Sequence, residues 1–548
     1  MGNPLKYYLA NDGDTLVAIA NRYNVEVDQL ILLNPHLRDP DIKLGGCLLS
    51  IPPSTERKFD LSGIPVCPPR KIEYPMKQFI ALTSLEQMAE TDYDVIIVGT
   101  GAGGGAALWR LCERWRQTGK KVGVVERGPI VLQAHIANFP TLDGRFWDFF
   151  LDPLHSFPIG DFFPDMPGAR EVFALGGRML YWGLVSPRMS AFELQHLPVS
   201  AQEMETYYNI AEQQMFVSKQ TEWVTPLQQA VLNRFWEKGV PQAQIAPKAI
   251  NLDPARYGPV VYFSSISFLA DASKLHPYDL AIHARAIRIL TANKKVAGIE
   301  VMTPDKTTYS LRTKSLVISA NAFETPRLLL YSGINDGPIG HYLTNHSFLD
   351  FTLRASAKPA YLPDIGNPPY MEWPAQILVP ESVGKPFQLQ FLRSGYSRIG
   401  QQRFELSGLS FGKVESRYEN KLFLNRNRQD VYGIPEIQVD FSYSARDNEI
   451  IGEIIESIHK TADLLGFDLP PDYCLHTPGT DYHEMGTCRM GFDPATSAAD
   501  PYGQIHGTEG LYIADNSVLP TTGAANPTLT TVALAIRTAD YISGRTAH

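Results

Sequence analysis

Cysteine is scarce and scattered: Cys47, Cys67, Cys112, Cys474 and Cys488 are the only five in 548 residues. An odd number of distant thiols suits neither a disulfide framework nor a zinc site, so they read as reduced thiols and no metal is expected. Long apolar runs are missing too. No uninterrupted stretch approaches the roughly 18–20 residues of a membrane span. Positive charge is in deficit, with 49 Lys+Arg against 58 Asp+Glu and a net charge of −9. With no long basic run either, the chain lacks an electrostatic footprint for nucleic acid. The start MGNPLKYYLANDGDT has no charged-then-apolar leader, which makes the cytoplasm the expected address. Lys6 stands where a myristoylation signal needs Ser or Thr. No tandem repeat is visible. What remains, 44% hydrophobic and 20% charged residues, is ordinary for a folded protein, and the length implies more than one folding unit.

Residues 6–52 read as a small unit. YYLANDGDTLVAIANRY gives a short strand, a turn at Asp12-Gly13, and a helix capped by Asp14 or Thr15 with Leu16, Ile19, Ala20 and Tyr23 at helical spacing. VEVDQLILLNPHL gives a second helix with Leu30, Leu33 and Leu37 on one face, interrupted near its end by Asn34-Pro35, and CLLSIP closes the unit as a strand. This βααβ order, with its GDTL, LLNP and LSIP segments, resembles the LysM domain, a fold that binds N-acetylglucosamine-containing glycans. The resemblance leaves two roles open, glycan binding or docking to a protein. Residues 53–92, rich in Pro and charge, read as a linker or arm.

The sharpest local pattern follows in YDVIIVGTGAGGGAALWRLCERWRQTGKKVGVVERG. An apolar strand runs into Gly99, Gly101 and Gly104, a helix follows, and the next strand ends at Glu126. Gly99 allows the tight turn, Gly101 lets the backbone approach a pyrophosphate, and Gly104 lets helix and strand pack closely. The helix N-terminus favours phosphate, and Glu126 stands where an acid meets a ribose hydroxyl. The pattern predicts a dinucleotide site without choosing between NAD and FAD. At the far end, HGTEGLYIADNSVLPTTGAANPTLTTVALAIRTADYI reads as a strand from Leu511 to Ala514, a polar loop, and a helix starting at Asn526-Pro527. His483 lies upstream in TDYHEMGTCRMG.

Taken together, these segments resemble the glucose–methanol–choline (GMC) family of flavoprotein oxidoreductases from Tyr93 to Ile542. The matching segments are GTGAGG with VVERG, ALGGRMLYWGLVSPR, LAIHARAIRIL with SLVISANAFETPRLLLYSGI, YHEMGTCRMG, and the final DNSVLPTTGAANPTLTT region. Asn321 departs from the pattern, standing where Gly is usual. The resemblance implies an α/β (mixed α+β) fold with a Rossmann-like FAD-binding domain and a β-sheet substrate-binding domain. The FAD-binding part would comprise 93–334 and 476–548, and the substrate lobe 335–475.

The resemblance also implies FAD with its ADP half on Gly99, Gly101, Gly104 and Glu126, and Ala286 against the adenine. Gly176, Gly177, Trp182 and Gly183 would line the flavin, Asp515 would contact the ribityl and pyrophosphate groups, and Thr528 would lie at the pyrimidine end. His483 and Asn526 take the positions of the catalytic pair, although Asn526 also suits a plain helix cap. The His–Asn pair with GAANPTLT resembles the pyranose oxidase branch and its bacterial glycoside-oxidising relatives. Tyr181 stands where covalently flavinylated relatives carry His, so the expected FAD is non-covalent.

The residue types suit alcohol oxidation. A hydroxyl proton and a carbon-bound hydride must leave, and histidine, with an ordinary pKa of about 6.5, is suited to the proton. An Asn amide can hold the alcohol oxygen without competing for that proton, and the following helix N-terminus suits developing negative charge. The expected partner is a small-molecule alcohol, a sugar or glycoside oxidised to a ketone, with oxygen or another acceptor closing the cycle. A lipid, sterol or aromatic alcohol, and a redox-neutral lyase on the same fold, stay open as alternatives. Within 335–475, FLDFTLRAS, FQLQFLRS, RFELSGLSF, KLFLN and EIQVDFSYS read as strands and NEIIGEIIESIHKTADLLG as a helix. LPDIGNPPYMEWPAQ, with Tyr370, Met371 and Trp373, reads as an aromatic loop, either a lid or interlobe packing.

Overall fold

The computed structural model describes residues 6–52, 80–139, 149–159, 165–219, 221–251, 261–364, 371–396 and 403–545. The chain divides between Lys77 and Gln78 into two units. Cys67 and most of the 53–92 linker fall outside the described residues, while Leu85–Ala89 is a helix and a strand begins at Asp92.

In the first unit, strands Lys6–Leu9 and Leu48–Ile51 pair antiparallel around helices Leu16–Tyr23 and Val27–Leu33. Thr15, not Asp14, caps the first helix, its hydroxyl accepting from the Ala18 N–H at 3.2 Å. Asp14 instead accepts from Tyr8 and from the Asn11 N–H. Buried Asn34 ends the second helix. Its amide donates to the Leu30 and Ser50 carbonyls and accepts from the Ser50 N–H, each at 2.8 Å. Leu16, Ile19, Leu30, Leu37, Leu44, Leu49 and Ile51 form the unit's own core.

The second unit contains a seven-stranded sheet. Strands Asp92–Val98, Val122–Val125, Asp279–Ala281, Thr308–Ile318 and Leu511–Ile513 pair in parallel, and Lys295–Met302 and Arg285–Ala292 extend the sheet antiparallel. The central strands Asp92–Val98 and Val122–Val125 are rich in Val and Ile because both faces are covered. Helices Ala102–Arg114, Ser265–Leu275 and Thr528–Arg545 belong to the same core.

A six-stranded antiparallel sheet carries the far wall of the site, in the order Leu469–Leu475, Ser347–Ala355, Phe404–Gly412, Phe387–Tyr396, Met371–Val379, Gln244–Ile245. Side chains alternate between its faces. Leu349, Phe351, Leu353, Leu389 and Phe391 pack with Ile450, Ile454 and Ile458 of helix Ala445–Leu465. Phe348, Asp350, Gln390, Leu409 and Phe411 face the opposite side, into a cavity. The aromatic-loop reading of LPDIGNPPYMEWPAQ needs correcting. Met371–Val379 is a strand, with a register shift between Glu372 and Ile377 around Pro374, and Tyr370 lies outside the described residues. Among the described residues, no helix is long and apolar enough to cross a membrane.

Candidate active site

A cavity of about 1370 Å³ runs between the parallel sheet and the antiparallel one. It brings together eleven of the thirteen predicted site residues: Gly99, Gly101, Glu126, Gly177, Trp182, Gly183, Ala286, His483, Asp515, Asn526 and Thr528. Gly104 and Gly176 are not on its wall. A Cβ at Gly104 would lie 2.0 Å from the Gly99 carbonyl oxygen, which is the close packing its position requires. Gly176, at φ 96°, shapes the turn behind the wall and donates its N–H to the Thr100 hydroxyl.

At one end, strand Asp92–Val98 breaks at Gly99 and helix Ala102–Arg114 starts with no side chain capping its N–H groups. A Cβ at Gly101 would meet nothing within 4 Å, so the cavity is open against this backbone. Glu126 accepts from the Thr100 N–H and hydroxyl on one oxygen and from the Gly128 N–H on the other. One of a carboxylate's roughly four acceptor positions therefore stays free for a ribose hydroxyl. Open backbone, uncapped helix N-terminus and buried acid together fit a dinucleotide such as FAD. Arg127 and Arg285, which no motif singled out, flank this end. Burial alone would push Glu324 upward, but Arg327, Arg285 and Arg127 hold its carboxyl well below the usual range.

Asp515 lies on the cavity wall with its carboxylate engaged in the fold. Its oxygens accept from the Thr325 hydroxyl, the Asn321 N–H, and the Ser517 N–H and hydroxyl, which fills its acceptor positions. The acid holds the turn and has no carboxylate lone pair spare for a cofactor. Asn321 sits at φ 77°, a backbone region that favours glycine, and its side-chain oxygen accepts from the Phe323 and Glu324 N–H groups.

Trp182 is fixed by donating its ring N–H to the Phe263 carbonyl at 2.8 Å. The Tyr181 hydroxyl is 2.9 Å from His155 Nε2 in a buried pair.

At the other end, the last helix begins at Thr528, so Asn526 does not cap it. Its side-chain oxygen accepts from Gln388 Nε2 at 3.0 Å and Gln390 Nε2 at 2.7 Å. These bonds assign the amide orientation and leave Nδ2 as the donor that Asn526 can offer to a bound group. His483 Nδ1 lies 2.9 Å from Nδ1 of His346, a residue the motifs did not reveal, and His346 Nε2 faces the Thr522 carbonyl at 3.4 Å. The carbonyl requires a proton on His346 Nε2. His346 Nδ1 then accepts from His483 Nδ1–H, which leaves a lone pair on His483 Nε2. Burial lowers His346 to about 4 and, together with His346 and Arg178, holds His483 well below the ordinary imidazole value. Tyr482, just before His483, adopts φ 56°, strained for an aromatic residue.

Among the described residues, His346, Asp481 and His483 are the one group of His, Cys, Asp or Glu close enough for a metal. The facing ring nitrogens are already bonded to each other and the carboxylate to N–H donors, so the chemistry is that of a proton network. Sequence reasoning found His483 and Asn526 through their flanking motifs. It missed Gln388, Gln390 and His346, whose positions only strand register defines, and Asp481, which stands in the quoted TDYHEMG segment but whose partners lie on a distant strand.

Residues 193–348 and 417–535 match family models for GMC oxidoreductases, and residues 10–46 match the LysM domain. The chain is 26% identical over 398 residues to C-glycoside 3-oxidase of Arthrobacter globiformis, covering 69% of this chain and 75% of that one. A C-glycoside 3-oxidase of Microbacterium trichothecenolyticum is 29% identical over 300 residues, covering 52% of this chain and 58% of its own length. Pyranose 2-oxidase of Tricholoma matsutake is 22% identical over 417 residues, 69% of this chain and 74% of that protein. In fold, the chain resembles pyridoxine 4-oxidase from Mesorbium loti, with a TM-score of 0.61 and 16% identity over 82% of this chain and 99% of that one.

Proposed function

Because the chain belongs to the GMC oxidoreductase family, whose members are FAD flavoproteins acting on CH–OH groups, we propose that it oxidises a ring hydroxyl of a sugar or glycoside to a ketone. One observation carries the chemistry: a single cavity that fits a dinucleotide against its glycine turn is also lined by the imidazole of His483 and the amide of Asn526. The sugar class is supported by the C-glycoside and pyranose oxidases among the relatives.

Gly99, Gly101 and the N-terminus of helix Ala102–Arg114 would hold the pyrophosphate, Glu126 the ribose and Ala286 the adenine. Gly177, Trp182 and Gly183 would line the ring, with Thr528 at its pyrimidine end. FAD, held without a covalent bond, supplies the acceptor for the hydride. The chain's own residues manage the proton and the geometry. His483 Nε2 takes the hydroxyl proton. Its depressed pKa keeps it unprotonated at neutral pH, ready as a base. Asn526 Nδ2 donates to the hydroxyl oxygen and stabilises it as it loses that proton. His346 fixes the tautomer that leaves His483 Nε2 free. The first unit would bind an N-acetylglucosamine-containing glycan and bring the oxidoreductase to carbohydrate. Retention on chitin or peptidoglycan tests that role.

The decisive experiment is anaerobic. After acid release of FAD is confirmed, the protein is mixed with D-glucose, other pyranoses, and methyl and C-linked glucosides while the oxidised flavin band is followed. Bleaching by a sugar that disappears in His483→Ala supports the assignment, and admitting air then identifies oxygen as an acceptor or excludes it. A flavin that dithionite bleaches and no sugar does would overturn the carbohydrate reading and turn the search to lipid, aromatic and lyase substrates.

A further inference from the structure

We propose that Asp481 is the buried counter-charge for the proton His483 removes from substrate, acting on the His483–His346 pair and not on the substrate. The inference rests on the reading of His483 as the base. It makes Asp481 and His346 positioning residues of the site.

The geometry is a triangle. Asp481 Oδ2 lies 3.9 Å from His346 Nδ1 and 3.9 Å from His483 Nδ1, and the two nitrogens are 2.9 Å apart. The carboxylate bonds to neither ring. Its two oxygens accept from the His346 backbone N–H at 2.9 Å and from Asn345 Nδ2 at 3.0 Å, which clamps it beside the hydrogen bond between the imidazoles. The Asp481 side chain has no solvent exposure, so its charge acts across a low-dielectric gap where Coulomb attraction is strong.

The proton balance is simple. The substrate O–H bond breaks, its electron pair stays on oxygen, and an N–H bond forms at His483 Nε2. The positive charge that results is shared by the two rings if the Nδ1 proton of His483 moves across to His346 Nδ1. His346 would then donate to His483 through Nδ1 and to the Thr522 carbonyl through Nε2. Since Asp481 is equidistant from both nitrogens, it stabilises the charge on either ring.

Six other titratable or charged groups, Arg178 among them, face Asp481 or its immediate neighbours. His346 and His483 are the pair itself. Glu484 stands beside it, with its charge taken by Arg178 at 2.6 Å, and Tyr443 and Tyr482 sense the carboxylate as neutral phenols. Burial, helped by Glu484, lifts the Asp481 carboxyl to about 7, whereas His483 is already neutral well below its ordinary value. The two groups therefore ionise in separate pH ranges.

The test compares wild type, Asp481→Asn and Asp481→Glu as FAD-loaded holoenzymes. Anaerobic flavin reduction is followed from pH 5.5 to 9 with a methyl glucoside as probe. Wild type is expected to speed up through a midpoint near 7. Asp481→Asn should lose that limb, running about tenfold slower at pH 8 and within about threefold of wild type at pH 6. Asp481→Glu should restore the limb. A limb near 7 that persists in Asp481→Asn overturns the proposal.

Nitrogen NMR of wild-type holoenzyme labelled with [15N]histidine needs neither a variant nor a substrate. Both Nδ1 resonances should shift together between pH 6 and 8, and invariant resonances would overturn the proposal. If these resonances titrate while no sugar bleaches the flavin, the inference stands and the carbohydrate reading fails. If a sugar bleaches the flavin while the resonances stay still, the reverse holds.

Discussion

Two neighbouring glycines in the first turn have opposite tasks. A Cβ at Gly101 would project into the cavity and touch nothing, whereas a Cβ at Gly103 would come within 1.5 Å of the Ala514 carbonyl oxygen. Gly101→Ala should therefore leave the thermal midpoint of the flavin-free protein unchanged while reducing the FAD retained on purification. Gly103→Ala should destabilise the protein by about 1–3 kcal/mol with or without cofactor, because a backbone carbonyl cannot swing aside. Thermal melts of both apoproteins, with flavin content by absorbance, separate the two effects. The motif singled out Gly99, Gly101 and Gly104, and a Cβ at Gly99 or Gly104 would strike a backbone carbonyl oxygen while one at Gly101 would meet nothing within 4 Å. Gly103 was not singled out, because the strand it would strike, ending at Ile513, lies some 400 residues further along the chain. Asn321 was flagged only as a departure from a family pattern. Its positive φ shows why glycine suits that position and why Asn, the side chain that best tolerates it, can stand in.

At the scale of the element, strand Phe387–Tyr396 links core packing to chemistry. Its odd-numbered residues Leu389 and Phe391 are buried against helix Ala445–Leu465, so Gln388 and Gln390 must point the other way, where both hold the Asn526 oxygen. Replacing both glutamines by Leu frees the amide to flip. The expected cost is about tenfold in the rate of flavin reduction by a sugar, on the order of 1.4 kcal/mol, with a smaller loss in each single variant. Stopped-flow reduction of the three variants checks this, and unchanged rates would show the amide is oriented by other means. The alternation that positions these glutamines was legible in FQLQFLRS. Their partner was not, since Asn526 read equally well as a helix cap until the helix proved to start at Thr528. Met371–Val379 escaped for a different reason. Pro374 and the prolines before it carry turn chemistry in the sequence, and the strand shifts register between Glu372 and Ile377.

At the scale of the whole molecule, the first unit has a core of its own, from Ala10 to Ile51, separate from the cores of the oxidoreductase body. Removing residues 1–52 is expected to keep flavin content, and the rate of flavin reduction, within about twofold of the full chain, since each unit packs a core of its own. Purification of the shortened chain and one reduction trace decide the point. A colourless product would mean that the first unit supports the second.

The fold class was readable because the glycine turn, the ALGGRMLYWG segment and the C-terminal GAANPTLT region carry a family resemblance that implies it. The site was half readable, because a cavity between two sheets is assembled from residues that share no local pattern. The same assembly fixes an order of events during synthesis. Gly99 and Thr531 line one cavity, and the strand Leu511–Ile513 and helix Thr528–Arg545 complete the sheet and its cover. A growing chain has made its phosphate turn early but has no floor beneath it until residues 511–545 have left the ribosome. Cofactor capture is therefore a late event in the life of each molecule, and chains that end early leave the ribosome without a site to fill.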